Sequence, residues 1–398
     1  MERNTLIYLA TTLGVVCGIA SLEAEEMQRI RGTQGDIAAV RLSAASLLHT
    51  AQLVPQDSKD SDLPRQGAQV LDQLAELLAE FSVQRSDVVK LNVYVRDAEA
   101  ATVFKELLRE WFGELAPSVA YVVSPLPRSP AAIGLDAVIA LPAALPATST
   151  ASVAYHRLLT LPGGGQMATA SVLPSGDAVY VSGQAEPGDL RQATRGTVAS
   201  LLSTLENLGL KRQDVVQLKC FVMPMSDMAI ASEEIAAAFK GHTVPPIVYV
   251  EWAPSATIPI EIELIAAAGK ANQTEAVSYS TPPGMKASPV YSRVAHVHGA
   301  SRIYVSGLVA TAAGDGASQV NSIYEQLTSV LEQCGSDFEH LVKATYYVSD
   351  DDASAQLNKL RPNYYNPQRP PAASKAIVPS VAIPQRSISI DMIATPSS

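Results

Sequence analysis

Apolar positions along this chain switch between a period of two and a period near 3.6, and the switches recur in one order three times. In the middle third, AVYVSGQAEP (178–187) is a β-branched and aromatic run reaching Ser182-Gly183, the pattern of a strand that stops at a turn. Val198, Leu201, Leu202, Leu205 and Leu208 then fall on one helix face, with Gly209 as its stop. A strand VVQLKCFVM, a shorter helix around Ala229 to Phe239 and two strands, IVYVEWA and IPIEIELIAAA, complete the unit. The last third repeats this order: RIYVSGLVA, a stripe of Val320, Ile323, Leu327, Val330 and Leu331, then LVKATYYV, a short helix near Ala353 to Leu360, and ISIDMIAT. In the first third the stripe is the most regular, Val70, Leu74, Leu77, Leu78 and Phe81, while the first strand reads SLLHTAQLVP.

The recurrence has a fixed beat. DVVKLNVYV, DVVQLKCFV and HLVKATYYV start at Asp87, Asp214 and His340, 127 and 126 residues apart. Asp136, Glu263 and Asp391 keep nearly the same spacing, 127 and 128. A period this long is a small domain, so the sequence predicts three tandem α+β units over 26–147, 152–269 and 276–398. Each unit is a mixed sheet with two helices on one face. The other face, carrying Val216, Leu218 and Cys220, needs a cover. Three sheets packed face inward, helices outward, supply it as an intramolecular pseudo-trimer. Leu141 to Ser152 and Gly269 to Ser278 read as the joints.

Composition changes this picture little. With 47% hydrophobic and 17% charged residues the chain is an ordinary globular one. A net charge of −10, with no basic cluster beyond Arg-x-Arg, argues against a nucleic-acid partner. The apolar run Leu6 to Ala20 followed by acidic sequence is short for a membrane span and reads as a signal peptide over residues 1–24. That reading predicts export, periplasmic or secreted, with no stable membrane insertion after processing; if the segment is not a leader, the expectation is a cytoplasmic protein. Cys17 would leave with the leader; Cys220 and Cys334 read as buried small residues. No spacing calls for a cofactor or a metal. His296-Val297-His298 offers two imidazoles without a signalled third ligand, and Gly163-Gly164-Gly165 reads as a turn because no Lys-Ser or Lys-Thr follows it. Asn272-Gln273-Thr274 formally matches a glycosylation acceptor.

The order of strand-SGQ, helix, DVVK-strand, helix, Pro-rich entry and IEIELIA strand resembles the reactive intermediate deaminase (RidA, YjgF-like) family, and does so over nearly the whole chain after residue 26. The resemblance implies single domains that form homotrimers, with a ligand cleft at each subunit boundary; here one chain would replace the trimer. It also implies hydrolysis of amino-acid-derived enamines and imines. That chemistry takes an Arg to hold the substrate carboxylate and a carboxylate to position water.

Carried over by position, the Arg slot holds Val119, Ile247 and Ala373 in the three repeats, and the carboxylate position holds Gly134, Glu261 and Ser389. The Ser-Gly turn survives as Ser182-Gly183 and Ser306-Gly307, with Thr50-Ala51 in the first repeat; the cleft Tyr matches Tyr291 and the cleft Asn matches Asn358. Apolar Arg slots leave a buried substrate carboxylate without a countercharge, at several kcal/mol. The sequence therefore predicts a small-molecule-binding or structural derivative without the usual imine deaminase activity. The alternative is a deaminase with a site rebuilt between repeats two and three, with Glu261 as its base. A ribonuclease reading is disfavoured by the acidic charge. Arg128 and Arg386 read as outward turn residues near two of the clefts.

Overall fold

The computed structural model describes residues 27–33, 35–56, 62–128, 130–142, 152–158, 167–253, 257–270 and 273–397. The N-terminal apolar segment with Cys17, the Gly163–Gly165 turn and Asn272 lie outside the described residues. No helix among the described residues is long and apolar enough to cross a membrane.

The first repeat supplies β1 (Met27–Arg31), β2 (Ile37–Leu42), β3 (Ser46–Thr50), α1 (Leu63–Glu80), β4 (Val88–Val95), α2 (Ala98–Phe112), β5 (Ser118–Val123) and β6 (Ile133–Leu141). The second supplies β7 (Ala154–His156), β8 (Ala170–Leu173), β9 (Ala178–Gln184), α3 (Leu190–Asn207), β10 (Val215–Val222), α4 (Met228–Ala238), β11 (Ile247–Glu251) and β12 (Ile260–Ala267). The third supplies β13 (Val277–Ser280), β14 (Val294–Val297), β15 (Arg302–Val305), β16 (Leu308–Val309), α5 (Gly316–Gln333), β17 (Leu341–Val348), α6 (Asp351–Leu360), β18 (Ala372–Ile377) and β19 (Ile388–Ala394). The apolar stripes and side-chain caps set the helices. Asp97, Asp189, Asp315 and Asp350 each accept a backbone N–H of the first turn, satisfying a donor the helix leaves unpaired. The stripe residues Val70, Leu74, Leu77, Val198, Leu201, Leu205, Val320, Ile323 and Leu327 are buried against their sheets.

Three mixed sheets result, an α+β architecture of three tandem units. Their strand orders are β5-β4-β6-β3-β8-β7, β11-β10-β12-β9-β14-β13 and β1-β2-β15-β19-β17-β18, with β16 also on β19. In every sheet one pair is parallel (β4–β5, β10–β11, β17–β18) and the others antiparallel.

Sheet membership follows a different cut from the sequence repeat. The hairpin β7–β8 opens the second repeat yet pairs with β3 of the first, and β13–β14 of the third pairs with β9 of the second. The hairpin β1–β2 of the first repeat closes the circle on β15 of the third, with Val40 opposite Tyr304 and Leu42 opposite Arg302. The chain crosses from sheet to sheet at residues 43–45, 174–177 and 298–301, rather than at the composition-marked joints, 141–152 and 269–278. Each exchanged hairpin also reaches back to its own repeat. Arg29 donates to the carbonyls of Ser86 and Val88, Tyr155 to Val215 (2.7 Å), and Tyr279 to Leu341 (2.6 Å).

The inner face differs from the period-two expectation. A β-bulge interrupts β4 between Val88 and Lys90, β10 between Val215 and Gln217, and β17 between Leu341 and Lys343. The extra residue resets the alternation. Val216 therefore faces the shared centre while Leu218 and Cys220 turn to the helix side, and Gln217 and Lys219 take the inward positions. The centre is built by all three repeats, from Val89, Val216 and Val342 at one level to Tyr94, Phe221 and Tyr347 at another.

Candidate functional site

Between the two apolar layers lies a ring of buried charge. Lys90 meets Asp391 at 2.5 Å and Lys343 meets Glu263 at 2.6 Å, each pair joining two repeats. Asp136 accepts from Tyr94 Oη (2.5 Å) and Asn92 Nδ2 (2.9 Å), with Lys219 acting on it electrostatically. Asp136, Glu263 and Asp391, read in the sequence as repeat markers, are thus the acids of the central ring. Burial pushes Lys90 down, against the pull of Asp391, and pushes the Asp136 carboxyl up. The ring encloses about 60 Å³, room for a few waters, next to His49, Tyr180 and Tyr304. These are interlocking structural charges, and the room for a ligand is at the joints.

At the joint of repeats two and three, Ser182 Oγ accepts the Ala373 N–H (2.7 Å) and donates to the Ser292 carbonyl (2.5 Å), while the Gly183 N–H reaches Ser374 Oγ (3.2 Å). A Cβ on Gly183 would collide with the Glu261 carboxylate, which lies across that turn and bonds Ser374. Burial, then the nearby Glu263, raises Glu261 to about 7 against the opposing Ser374 hydrogen bond, Lys343 and Arg293. The Arg293 guanidinium sits 5.1 Å from the Tyr291 ring, so Tyr291 belongs to this joint. Asn358 lies on the helix side of β18, accepting from Arg361 (3.2 Å) and Lys375 (3.4 Å).

The structure does not place Ser306 with that group. At the joint of repeats three and one, Ser306 Oγ accepts the Val119 N–H (3.1 Å) and donates to Ile37 (2.6 Å), and the Gly307 N–H donates to the Val119 carbonyl (2.9 Å). Here opens a cleft of about 490 Å³. Val119, Leu308 and Phe112 give it apolar wall, and Tyr121, Gln326 and Arg109 give it polar groups. Gly307 is required by close approach, since a Cβ would lie 3.0 Å from the Ala120 Cα. Arg31 at the rim is paired with Glu114, and Lys105 with Asp36 (3.2 Å). Arg386 also lines the cleft, held by the carbonyls of Ala310 (2.6 Å) and Thr311 (3.1 Å), whereas Arg128 bonds Gln56. Arg109 acts on the Tyr121 phenol and has no side-chain partner among the described residues.

At the joint of repeats one and two the slot residue is packed away. Ile247 is 3% exposed, its carbonyl accepts from the Gln52 N–H (3.3 Å), and Gln52 Oε1 takes the Tyr249 N–H (3.1 Å). All three Arg slots are therefore apolar, yet cations from other segments, Arg293 at one joint and Arg109 at another, stand nearby. Sequence reasoning missed both: Arg293 lies 80 residues before its slot at Ala373, and Arg109, ten residues before Val119, sits on a helix rather than in the strand that carries the slot. Arg109 carries a faint signal, an Arg in the last turn of an amphipathic helix.

The family model described as Endoribonuclease L-PSP matches residues 39–140, 168–268 and 284–396, and the chain belongs to that family in three tandem copies. A RutC family protein of Pyrococcus horikoshii is 32% identical over 93 residues, 22% of this chain and 74% of the relative. Protein DfrA of Myxococcus xanthus is 32% identical over 117 residues, 27% of this chain and 87% of the relative. Among solved structures, the Escherichia coli YjgF gene product is 27% identical with a TM-score of 0.22, over 24% of this chain and 87% of that one. A YjgF family member from Neisseria meningitidis is 22% identical with a TM-score of 0.24, over 32% of this chain and 99% of that one.

Proposed function

We propose that this chain is a small-molecule-binding derivative of the family that has lost Arg-dependent imine hydrolysis, and that its ligand is an anion with an apolar body held between repeats three and one. The observation that carries this reading is the chemistry of the 490 Å³ cleft. Its Arg slot is Val119 and its carboxylate position is Ser389, so the floor offers neither the family's countercharge nor a base. Arg109 on the wall supplies a guanidinium for an anionic head while the apolar side chains take the body. In the same reading the single chain stands in for a homotrimer, supported by the exchanged hairpins and the shared ring of charges.

Isothermal titration with butyrate, hexanoate and octanoate tests it. Saturable binding that tightens with chain length is expected, with Arg109→Ala weakening it roughly 10- to 100-fold through loss of a charge-assisted hydrogen bond. No saturable binding, or hydrolysis of 2-aminoacrylate as fast as by an Arg-bearing relative, overturns it.

Glu261 favours a second reading, a rebuilt deaminase between repeats two and three acting on a neutral imine. A carboxyl raised to about 7 is poised to exchange protons near neutrality. As a base it works only when ionised, so turnover would rise with pH through about 7 and vanish in Glu261→Gln. A rate unaffected by that replacement rejects the assignment.

A further inference from the structure

The three sheet-to-sheet crossings converge at one end of the molecule. Ser301 Oγ donates to the Ser43 carbonyl (2.6 Å), and Arg302 donates to the carbonyls of Gly299 (2.7 Å) and Gly176 (3.2 Å). Here the imidazoles of His296 and His298, paired in the sequence without a third ligand, meet Asp177 from the crossing into the second sheet. Asp177 Oδ2 lies 3.6 Å from His296 Nε2 and 3.4 Å from His298 Nδ1, and the three donor atoms all fall within 4.8 Å of one another.

The two carboxylate–imidazole separations are long for direct N–H···O bonds, which cluster near 2.9 Å. They match the edge of a ligand tetrahedron around Zn²⁺, where bonds of roughly 2.0–2.2 Å put ligand atoms about 3.3–3.5 Å apart. The surroundings orient the same atoms. Ser278 Oγ bonds His298 Nε2 (2.8 Å); with the proton on Nε2 donated to that hydroxyl, the Nδ1 lone pair is left toward Asp177. The Gly299 N–H holds Asp177 Oδ1 at 2.8 Å and leaves Oδ2 facing the two rings. Nε2 of His296 is buried, and no described residue lies within hydrogen-bond distance of it. Two imidazole nitrogens and a carboxylate oxygen form a borderline-soft set suited to Zn²⁺ rather than to Ca²⁺ or Mg²⁺.

We propose that Asp177, His296 and His298 bind one Zn²⁺, with water as the fourth ligand, and that the ion fastens the hairpin of repeat three to the crossing of repeat two. The site is independent of the ligand cleft and of the proposed small-molecule function. Its test is metal uptake by tag-free protein. After dialysis against micromolar Zn²⁺, elemental analysis is expected to give one equivalent, and Co²⁺ to give the intense visible band of a four-coordinate site. His296→Gln and His298→Gln each abolish the equivalent, while His340→Gln, at an unrelated His–Asp pair, keeps it. Ser278→Ala retains the ligands and weakens binding about 10-fold. Zn²⁺ raises the unfolding temperature of the wild type and leaves that of His296→Gln unchanged. Wild-type protein that takes up no metal, or uptake that survives both His replacements, overturns the assignment. Should a His variant not fold, the wild-type stoichiometry and the Ser278→Ala affinity still decide.

Discussion

His49 faces Val138 as Tyr180 faces Ile265 and Tyr304 faces Ile393, so strand register sets it at their position, one residue off the Thr50-Ala51 match read from the sequence, and the substitution leaves a mark on acid stability. The ring is 1% exposed, both its nitrogens lack hydrogen-bond partners among the described residues, and burial, with the nearby Arg302, holds it down at about 3. A base whose folded value lies below its unfolded value of 6.5 contributes stability above that pH and loses it as pH falls toward 3. At pH 5 the loss is about 2 kcal/mol. Urea midpoints recorded against pH should fall below 6.5 in the wild type, and His49→Phe should flatten that part of the curve. Unchanged pH dependence would count against a buried neutral imidazole. The sequence showed a His within an apolar strand; its isolation came from three chain segments closing over it. Glu261 is a similar case. Its place on an alternating strand was legible, but the burial that raises it comes from a turn in its own repeat and a strand in the next.

The elements were mostly legible, because helix stripes and strand runs depend on local periodicity. The bulge in β4, β10 and β17 was not: one extra residue leaves no mark in composition, yet it decides which side chains face inward. Lys90, Lys219 and Lys343 sit in strands whose neighbours are apolar, and only the reset register sends them to the centre. The hairpin exchange is equally silent in the sequence, since a two-stranded unit presents the same edge to its own sheet or to a neighbour's. Its latches can be tested. Tyr279 bonds the carbonyl that opens β17 from a hairpin docked on the other sheet, so Tyr279→Phe should cost about 1–2 kcal/mol in denaturant unfolding. A variant as stable as the wild type would show that the phenol is no latch.

At the scale of the whole molecule the central ring dominates. Lys90 and Asp391 pair across repeats in a site where the carboxylate side chain is 11% exposed and the ammonium 4%. Removing one partner leaves a buried charge uncompensated, at about 3–5 kcal/mol, whereas removing both costs far less. Lys90→Met should therefore lower stability by that amount, and the double variant Lys90→Met with Asp391→Leu should recover most of it. Failure of the second replacement to rescue the first would mean the pair does not act as a unit. Because each ion pair spans two repeats, the same variants report on how tightly the three units are held.

The amino-acid order alone fixed the number of units, their helices and most strands, and the apolar residues at three Arg positions, since all of these follow from local periodicity and repeat spacing. Tertiary structure decided which hairpin joins which sheet, what lines the cleft between repeats three and one, and where Lys90, His49, Arg109 and Asp177 end up. Those outcomes depend on contacts between residues a hundred or more positions apart, and on the loss of water around them, which no local pattern encodes.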